Sequence, residues 1–135
     1  MALIISRSLL DAIARAAEAE HPREACGLLF GRSDCITAMR PACNVAADPG
    51  RRFELDPVVL FAALRAERAG GPHIAGYWHS HPSGDAAPSV TDAAMAAPDG
   101  RLWLIVTPGG AAGVWRAVAD GAVHGRFDPV AFRQR

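Results

Sequence analysis

Near the start of the chain, apolar residues fall at two spacings, first that of a strand and then that of a helix. Residues 3–6 form a short and mostly apolar run, as expected for a strand. Residues 8–20 then have apolar positions three and four apart, which predicts a helix ended by His21-Pro22. Its predicted apolar face consists of Leu9, Leu10, Ile13, Ala16 and Ala17.

Short apolar runs separated by turn residues predict strands in most of the remaining chain. Two helices interrupt them, one opened by Pro57 and ending near Ala69, and a short one over residues 89–97. Gly31-Arg32-Ser33-Asp34 predicts a hairpin turn between the first two of these strands. The predicted strands cover residues 25–30, 35–39, 53–55, 74–81, 102–107, 113–118 and 123–127. This order predicts an α/β fold, a mixed β-sheet with flanking helices.

The composition is that of a globular domain. With 135 residues, half of them apolar, the chain can bury a core without disulfides, and we expect a single domain over residues 1–135. Acidic and basic residues balance at 14 each, so there is no general attraction to nucleic acid or to anionic membranes. Residues 1–5 are too short for a signal sequence, and no apolar run reaches the length of a membrane span. We therefore expect a cytoplasmic protein that binds neither nucleic acid nor membrane.

The strongest chemical signal is a pair of histidines followed by a serine and an aspartate. His79 and His81 are two residues apart on a predicted strand, so their side chains share one face, and a loop rich in Pro and Gly returns Asp92 to them. Two imidazoles and a carboxylate form the ligand set of a catalytic zinc site, in which water takes the fourth position. Zinc held in this way activates water and polarises a carbonyl. The spacing therefore predicts hydrolysis of an acyl bond.

Each part of this pattern also has an ordinary structural interpretation. Ser89-Val90-Thr91-Asp92 fits a helix capping box, and a lone His-x-His is more often a pair of surface or packing histidines. Capping and metal binding do not exclude each other, because a serine can begin a helix while Asp92 projects from its first turn. A set of two His and one Asp also suits iron or manganese, so the residues alone leave the metal open.

Residues 79–92 resemble the zinc motif of the JAMM, or MPN-plus, metalloproteases, which is His-x-His, seven residues, and then Ser-x-x-Asp. Residues 82–88 are the seven residues between the two parts of the motif, so every fixed position matches. Residues 21–31, which include Glu24, are similar to an early segment of the small prokaryotic members. Asn44 and residues 52–57 are similar as well, though less specifically. The resemblance spans about residues 3–118 and implies an MPN (JAB1/MPN)-like fold.

The resemblance implies one zinc ion per chain, held by His79, His81 and Asp92. It also implies that Glu24 acts as general base on the zinc-bound water and that Ser89 stabilises the oxyanion. A carboxylate placed in this way can pass a proton from the water to the leaving amine, an effect of about 10²- to 10⁴-fold. From the residues alone, Glu24 would more often be a solvated or ion-paired glutamate at the edge of a strand.

The implied reaction is hydrolysis of an amide after the C-terminal Gly-Gly of a ubiquitin-like partner. In small prokaryotic members this partner is commonly a sulfur-carrier protein related to ThiS and MoaD. Three alternatives remain: a RadC-like domain, a non-catalytic MPN-type protein-binding module, and a domain like those of phage-tail and cell-wall-directed peptidases. Ser80 stands where the RadC type usually has Asn, and the complete ligand set argues against a non-catalytic module. The third type is normally fused to another module.

The remaining reactive side chains have weaker signals. Three cysteines without Cys-x-x-Cys spacing argue against a disulfide framework and a thiolate zinc site. Cys26 lies two residues from Glu24 on a predicted strand, so it is either a small core residue or a redox-sensitive thiol that becomes a fourth ligand. We expect Trp78 and Ser80 on the opposite face from the two histidines of the motif. His73 and His124 are expected on the surface without a role, and Trp103 and Trp115 in sheet packing.

Overall fold

The helices and strands follow nearly the predicted order. The computed structural model describes residues 2–32 and 34–135. Its elements are β1 (Leu3–Ile5), α1 (Arg7–Glu20), β2 (Cys26–Arg32), β3 (Cys35–Ala42), α2 (Pro57–Arg68), β4 (Ile74–Ser80), α3 (Val90–Met95), β5 (Leu102–Val106), β6 (Ala112–Gly121), β7 (Gly125–Pro129) and β8 (Phe132–Gln134).

All the strands belong to one mixed sheet, whose order is β7-β6-β5-β4-β2-β3-β1-β8. β4 lies parallel to β5, and β1 lies parallel to both β3 and β8. The other neighbouring strands are antiparallel. The predicted α/β class with a mixed sheet is therefore confirmed, and β4, which was predicted to carry the histidines, lies in the middle of the sheet.

Helices and loops cover the sheet on both faces. On one face, Leu10 and Ile13 of α1 pack into a core that contains the fully buried Trp78. Gly27 makes room for this indole, because a Cβ at position 27 would overlap the Trp78 ring and the Arg40 carbonyl. The other face has two smaller clusters, centred on Phe53, Trp103 and Phe127 and on Leu28, Ala63 and Ile74.

Side-chain caps explain where the helices begin. The Ser6 hydroxyl accepts the backbone N–H of Leu9 at 3.1 Å at the start of α1. At α2, an Asp56 carboxylate oxygen accepts the Val58 N–H at 3.0 Å, and Pro57 occupies the first turn, where its missing N–H costs nothing. The structure thus confirms the helix start predicted from Pro57. No helix in the described ranges is long and apolar enough to cross a bilayer.

The segment before α2 and the C-terminal strands differ from the prediction. Residues 53–55 are not a strand, since only an isolated bridge joins Leu55 to Asn44. The last hairpin is shifted, because residues 123–127 were predicted as a strand that in fact runs over Gly125–Pro129. The short strand β8 was not predicted; it is held at the sheet edge by pairing with β1. The predicted turn at residues 31–34 includes Ser33, which lies outside the described residues, but β2 and β3 do pair as an antiparallel hairpin.

Candidate metal centre

β4 and the residue after it supply the two histidines. His79 lies within the strand and is fully buried, and His81 lies one residue beyond its end and is 6% exposed. The predicted strand over residues 74–81 is therefore one residue too long. The His81 N–H still donates to the Val106 carbonyl at 2.9 Å, which keeps the backbone alongside β5. The two side chains consequently point the same way, and their Nε2 atoms lie 3.0 Å apart.

α3 brings the carboxylate to the histidines. Asp92 Oδ2 lies 3.1 Å from His79 Nε2 and 3.0 Å from His81 Nε2. The Ser89 hydroxyl accepts the Asp92 N–H at 3.0 Å, and the Ser89 N–H donates to Asp92 Oδ2 at 3.0 Å, which completes a capping box. The capping interpretation is thus correct, and the same cap directs the carboxylate at both imidazoles.

The three converging atoms fit a divalent metal ion. Ligands of a tetrahedral ion with bonds of about 2.0–2.1 Å lie roughly 3.3 Å apart, close to the separations of 3.0–3.1 Å seen among these atoms. His81 Nδ1 donates to the Asp85 carbonyl at 2.7 Å, which orients the ring with Nε2 toward the other two ligand atoms. Glu24 Oε1, the fourth member of the group, is buried and has no hydrogen-bond partner within residues 2–32 and 34–135. An ion with a coordinated water would satisfy such an orphan oxygen.

Burial and mutual contacts set the charges in this group. Burial lowers the pKa of His79, so the ring is neutral, as a metal ligand must be. Burial alone would raise the pKa of Asp92, but hydrogen bonds from His79 and His81 outweigh it and hold that pKa well below its usual range. For His81, burial lowers the pKa, while its contacts with Asp92 and the Asp85 carbonyl raise it more. Asp92 is therefore an anion that two imidazoles stabilise.

Glu24 lies just before β2, beside the three converging atoms. It is 4% exposed, and its ligand oxygen lies within 4.8 Å of the ligand atoms of His79, His81 and Asp92. Burial raises the pKa of the Glu24 carboxyl to about 7; His81 partly opposes this rise, and Asp92 adds to it. A carboxyl with this pKa can both take up and release a proton near neutral pH.

Glu24 and Ser89 open into the same cavity. This cavity has a volume of about 290 Å³, and its walls also include Gly50, Arg51 and His81. A larger cavity of about 430 Å³ lies on the α1 side, against Ser80 and Glu18, with none of the four converging side chains in its wall. We therefore assign the chemistry to the smaller cavity, because it contains the converging groups.

Comparison with known proteins identifies the family. The family model described as prokaryotic homologs of the JAB domain matches residues 6–120. The chain belongs to this family. The resemblance to JAMM metalloproteases and to an MPN-like fold, predicted from residues 79–92, is thereby confirmed.

Several named proteins are similar to this JAB-family chain. A desampylase from Haloferax volcanii is 40% identical over 105 residues, which cover 76% of each chain. A probable TtuB-protein conjugate cleaving protease from Thermus thermophilus is 34% identical over 92 residues, or 68% of this chain and 62% of the relative. A CysO-cysteine peptidase from Mycobacterium tuberculosis is 32% identical over 108 residues, or 78% of this chain and 73% of the relative.

Solved structures agree on the fold. A protein from Desulfitobacterium hafniense matches with a TM-score of 0.82 and 24% identity, over 98% of this chain and 92% of that one. A structure described as a JAMM metalloprotease-like zinc site in the proteasome and signalosome matches with a TM-score of 0.57 and 21% identity, over 98% and 99% of the two chains. At these identities the likeness bears on the fold alone.

The JAB-family site includes a contact that the sequence did not reveal. The Phe53 ring stacks on His79, with 4.3 Å between ring centroids and 26° between planes, and Trp103 meets His79 edge-on at 5.6 Å. Residues 52–57 were noted as similar to the family, but no role followed for Phe53, since the contact joins residues far apart in sequence. The aromatic pair fixes the His79 ring from two sides.

Trp115 was predicted only to pack in the sheet and His124 to have no role, but both contact the loop that leads to α3. The Trp115 indole N–H donates to the Ala86 carbonyl at 3.1 Å, and His124 Nε2 lies 3.1 Å from the Pro88 carbonyl. His124 is exposed, as expected, but it has this structural contact. His73 is also exposed and contacts Glu67 at 3.0 Å, on another part of the surface. The loop over residues 82–88 is therefore tied to the β6–β7 side of the sheet.

Cys26 is a core residue and not a ligand. It is 1% exposed, and its thiol faces the carbonyls of Ala42 and Cys43 at 3.6 and 3.8 Å. Burial, with smaller effects from Cys43 and Glu24, raises the pKa of the Cys26 thiol to about 12. Because the thiolate is the form that binds metals and reacts with oxidants, this environment argues against the redox-sensitive alternative.

Proposed function

We propose that this protein is a zinc-dependent peptidase that hydrolyses the amide bond after the C-terminal Gly-Gly of a ubiquitin-like protein of the sulfur-carrier type. The observation that carries the proposal is the buried group of Glu24, His79, His81 and Asp92, whose ligand atoms all lie within 4.8 Å of one another. Two imidazoles, one carboxylate ligand and a further carboxylate are the parts that metal-assisted hydrolysis needs.

In this proposal His79, His81 and Asp92 hold one zinc ion per chain, and the Phe53 and Trp103 rings restrain the first of them. When bound, the zinc ion supplies Lewis-acid activation of water and of the scissile carbonyl. The unusually low pKa of Asp92 keeps this carboxylate charged and ready to bind a cation. The lowered pKa of His79 favours the neutral ring, which is the form that binds a metal ion.

Glu24 is the general base and acid. Its carboxylate accepts a proton from the attacking water, and the acid so formed donates that proton to the nitrogen of the leaving amine. The Glu24 carboxylate lies in the cavity that would contain the scissile bond, so it can reach both the attacking water and the leaving nitrogen. A bound cation would lower the Glu24 pKa and favour the basic form needed at the start of the reaction.

Ser89 is the oxyanion donor. Its oxygen already accepts the Asp92 N–H, so its own hydroxyl hydrogen stays available for donation. Because Ser89 lines the same cavity as Glu24, that hydrogen can be aimed at the carbonyl oxygen as it gains negative charge. One serine therefore serves both the helix cap and the reaction.

The relatives support a substrate of the ubiquitin-like class. They are named for removing SAMP-type modifiers, for cleaving TtuB–protein conjugates and for a CysO–cysteine peptidase activity. A tail of two glycines can enter a narrow site in an extended form, since glycine has no side chain to clash. The leaving group is then either an amino acid or a lysine side chain of a second protein. The single domain over residues 1–135 and the cytoplasmic location stay predictions.

The test uses zinc-loaded protein and two forms of a ThiS-type carrier, one extended by a single residue after Gly-Gly and one joined through its terminal glycine to a lysine side chain. Intact mass should show loss of the group after glycine from one form or both. Glu24→Gln should abolish the cleavage, while Glu18→Gln, an exposed glutamate of α1, should not. Intact carriers in the presence of one bound zinc per chain would contradict the proposal. So would cleavage that survives Glu24→Gln.

A further inference from the structure

Asn44 uses its entire side-chain amide to tie backbone segments together. The two hydrogens of its Nδ2 are shared among three carbonyls, and its Oδ1 accepts two backbone N–H groups, so both ends of the amide are engaged. The carbonyl partners are Glu24 at 2.8 Å, Pro49 at 3.3 Å and Arg52 at 3.0 Å, and the N–H partners are Ala46 at 3.0 Å and Glu54 at 3.1 Å. None of these five partners belongs to a named strand or helix, so the amide supplies hydrogen bonds that regular structure does not supply here.

The segments that Asn44 joins are those that surround the reaction site. One is the backbone of Glu24, which lies before β2 and so outside the sheet. The other is the loop over residues 46–54, which contributes Gly50 and Arg51 to the cavity wall and Phe53 to the face of His79. The Glu24 N–H also donates to the Pro49 carbonyl at 2.7 Å. Both backbone hydrogen bonds of Glu24 therefore depend on the loop over residues 46–54 and on the side-chain amide of Asn44.

The Glu24 carboxylate has no comparable anchor of its own. Its Oε1 is buried without a hydrogen-bond partner in the part of the chain that the structure describes. The next residue is fixed, because Ser80 accepts the Ala25 N–H at 2.8 Å and donates its own N–H to the Ala25 carbonyl at 3.0 Å. The backbone that carries this carboxylate is thus held by Ser80 through the next residue and by Asn44 through the Glu24 carbonyl.

We propose that Asn44 is the positioning residue for the general base, keeping the Glu24 carboxylate at the distance and angle that proton transfer requires. The inference rests on the proposed function, in which Glu24 moves the proton. Asn44 itself does not line the cavity, so it acts through Glu24 and not on substrate. Displacement of a reacting group by about 1 Å can cost on the order of 100-fold in rate, which sets the scale of the expected effect.

Two substitutions separate the roles of the amide. Asn44→Asp keeps an oxygen for the Ala46 and Glu54 N–H groups but removes the donor to the Glu24 carbonyl, and Asn44→Ala removes both. With zinc-loaded protein and the extended carrier, each variant should lower kcat by roughly 10- to 100-fold, with KM within about twofold and one zinc per chain retained. The rates are compared at a temperature where every variant is folded by circular dichroism. Ser6→Ala, which removes the cap of α1 far from the site, should leave kcat unchanged.

Amide hydrogen exchange tests the anchoring without any substrate. In metal-free protein, the Glu24 N–H should exchange at least about tenfold faster in either Asn44 variant, while amides of β4 and β5 keep their protection. Unchanged exchange at Glu24, or kcat equal to wild type, would overturn the inference, as would a loss confined to KM or zinc content. If Asn44→Ala does not fold, Asn44→Asp decides. Wild-type protein that cleaves no carrier would overturn the proposed function, and the exchange result would still judge the anchoring.

Discussion

Two helices of this protein begin with the same serine cap, and the caps do different things. At α1 the Ser6 hydroxyl accepts the N–H of Leu9, and at α3 the Ser89 hydroxyl accepts the N–H of Asp92. The two bonds are almost equal in length, 3.1 and 3.0 Å. Leu9 packs against the core, whereas Asp92 lies against two buried histidines. The two caps therefore share the serine bond, and the cap of α3 adds a reciprocal bond from the Ser89 N–H to the carboxylate of its third residue.

The two helices also depend on their caps to different degrees. α1 has 14 residues, follows β1 after a single residue, and buries Leu10 and Ile13. α3 has 6 residues, and Asp92 is the buried one among them. Because a helix this short is unstable by itself, α3 needs its cap and its tertiary contacts to exist. A capping motif in a sequence therefore predicts where a helix begins. Whether the third residue of that helix also belongs to a functional site depends on the residues it packs against.

The largest expected effect comes from removing the charge that distinguishes the two caps. Asp92→Asn keeps an oxygen for the Ser89 N–H but removes the carboxylate that faces both imidazoles. Zinc affinity should fall by more than about 100-fold, and turnover should be lost with it. Zinc per chain is measured by mass spectrometry under native conditions. Asp11→Asn, an exposed acid of α1, is the control. Full zinc occupancy in Asp92→Asn would disprove the site assignment.

Zinc should stabilise one cap and not the other. At a free zinc concentration 100 times its Kd, binding should raise the free energy of unfolding by about 2.7 kcal/mol. In hydrogen exchange, the N–H groups of Asp92 and Ala93, both bonded to Ser89, should then slow by up to about 100-fold. Those of Leu9 and Leu10, which open by fraying at the start of α1, should hardly change. Equal slowing at both helices would mean that zinc acts on the whole protein and not through α3.

Sequence reasoning succeeded where the cause is local. The helical spacing around Leu10 and Ile13 predicted α1, and the His-x-His spacing with Ser-x-x-Asp predicted residues that the structure brings together. It allowed Ser89 and Asp92 both to cap α3 and to serve the site, and the structure shows the cap with the Asp92 carboxylate facing both imidazoles. Glu24 was found only through the family resemblance, since no spacing distinguishes it from the other acids of the chain.

The errors have a common physical origin in contacts between distant residues. Residues 53–55 have the local pattern of a strand, but the Asn44 amide takes the backbone groups that a ladder would use. β8 has the sequence Phe-Arg-Gln, which contains no apolar run, and it is defined by its pairing with β1 at the other end of the chain. The stacking of Phe53 on His79 joins residues whose proximity depends on the whole sheet. None of these contacts has a signature within a window of about 10 to 20 residues.

Removing each serine separates helix capping from chemistry. Ser6→Ala and Ser89→Ala should each lower the free energy of unfolding by about 1 kcal/mol, because each loses one cap hydrogen bond. Ser89→Ala should in addition lower kcat by about 100-fold, the usual scale for loss of an oxyanion donor, with one zinc per chain retained. Chemical denaturation and steady-state kinetics on the extended carrier measure the two effects. If Ser89→Ala lowers only the free energy of unfolding, as Ser6→Ala does, and leaves kcat unchanged, Ser89 is only a cap.

The smallest expected effect concerns how α3 is delivered to the histidines. α1 needs no such support, but α3 follows a loop that Trp115 holds by donating to the Ala86 carbonyl. Trp115→Phe removes this hydrogen bond, worth about 1 kcal/mol, and should lower kcat/KM by at most about fivefold while zinc stays bound. Thr37→Val, which removes a hydroxyl donor on the distant strand β3, should leave kcat/KM unchanged. A loss of zinc in Trp115→Phe would show that the loop, more than the cap, places Asp92.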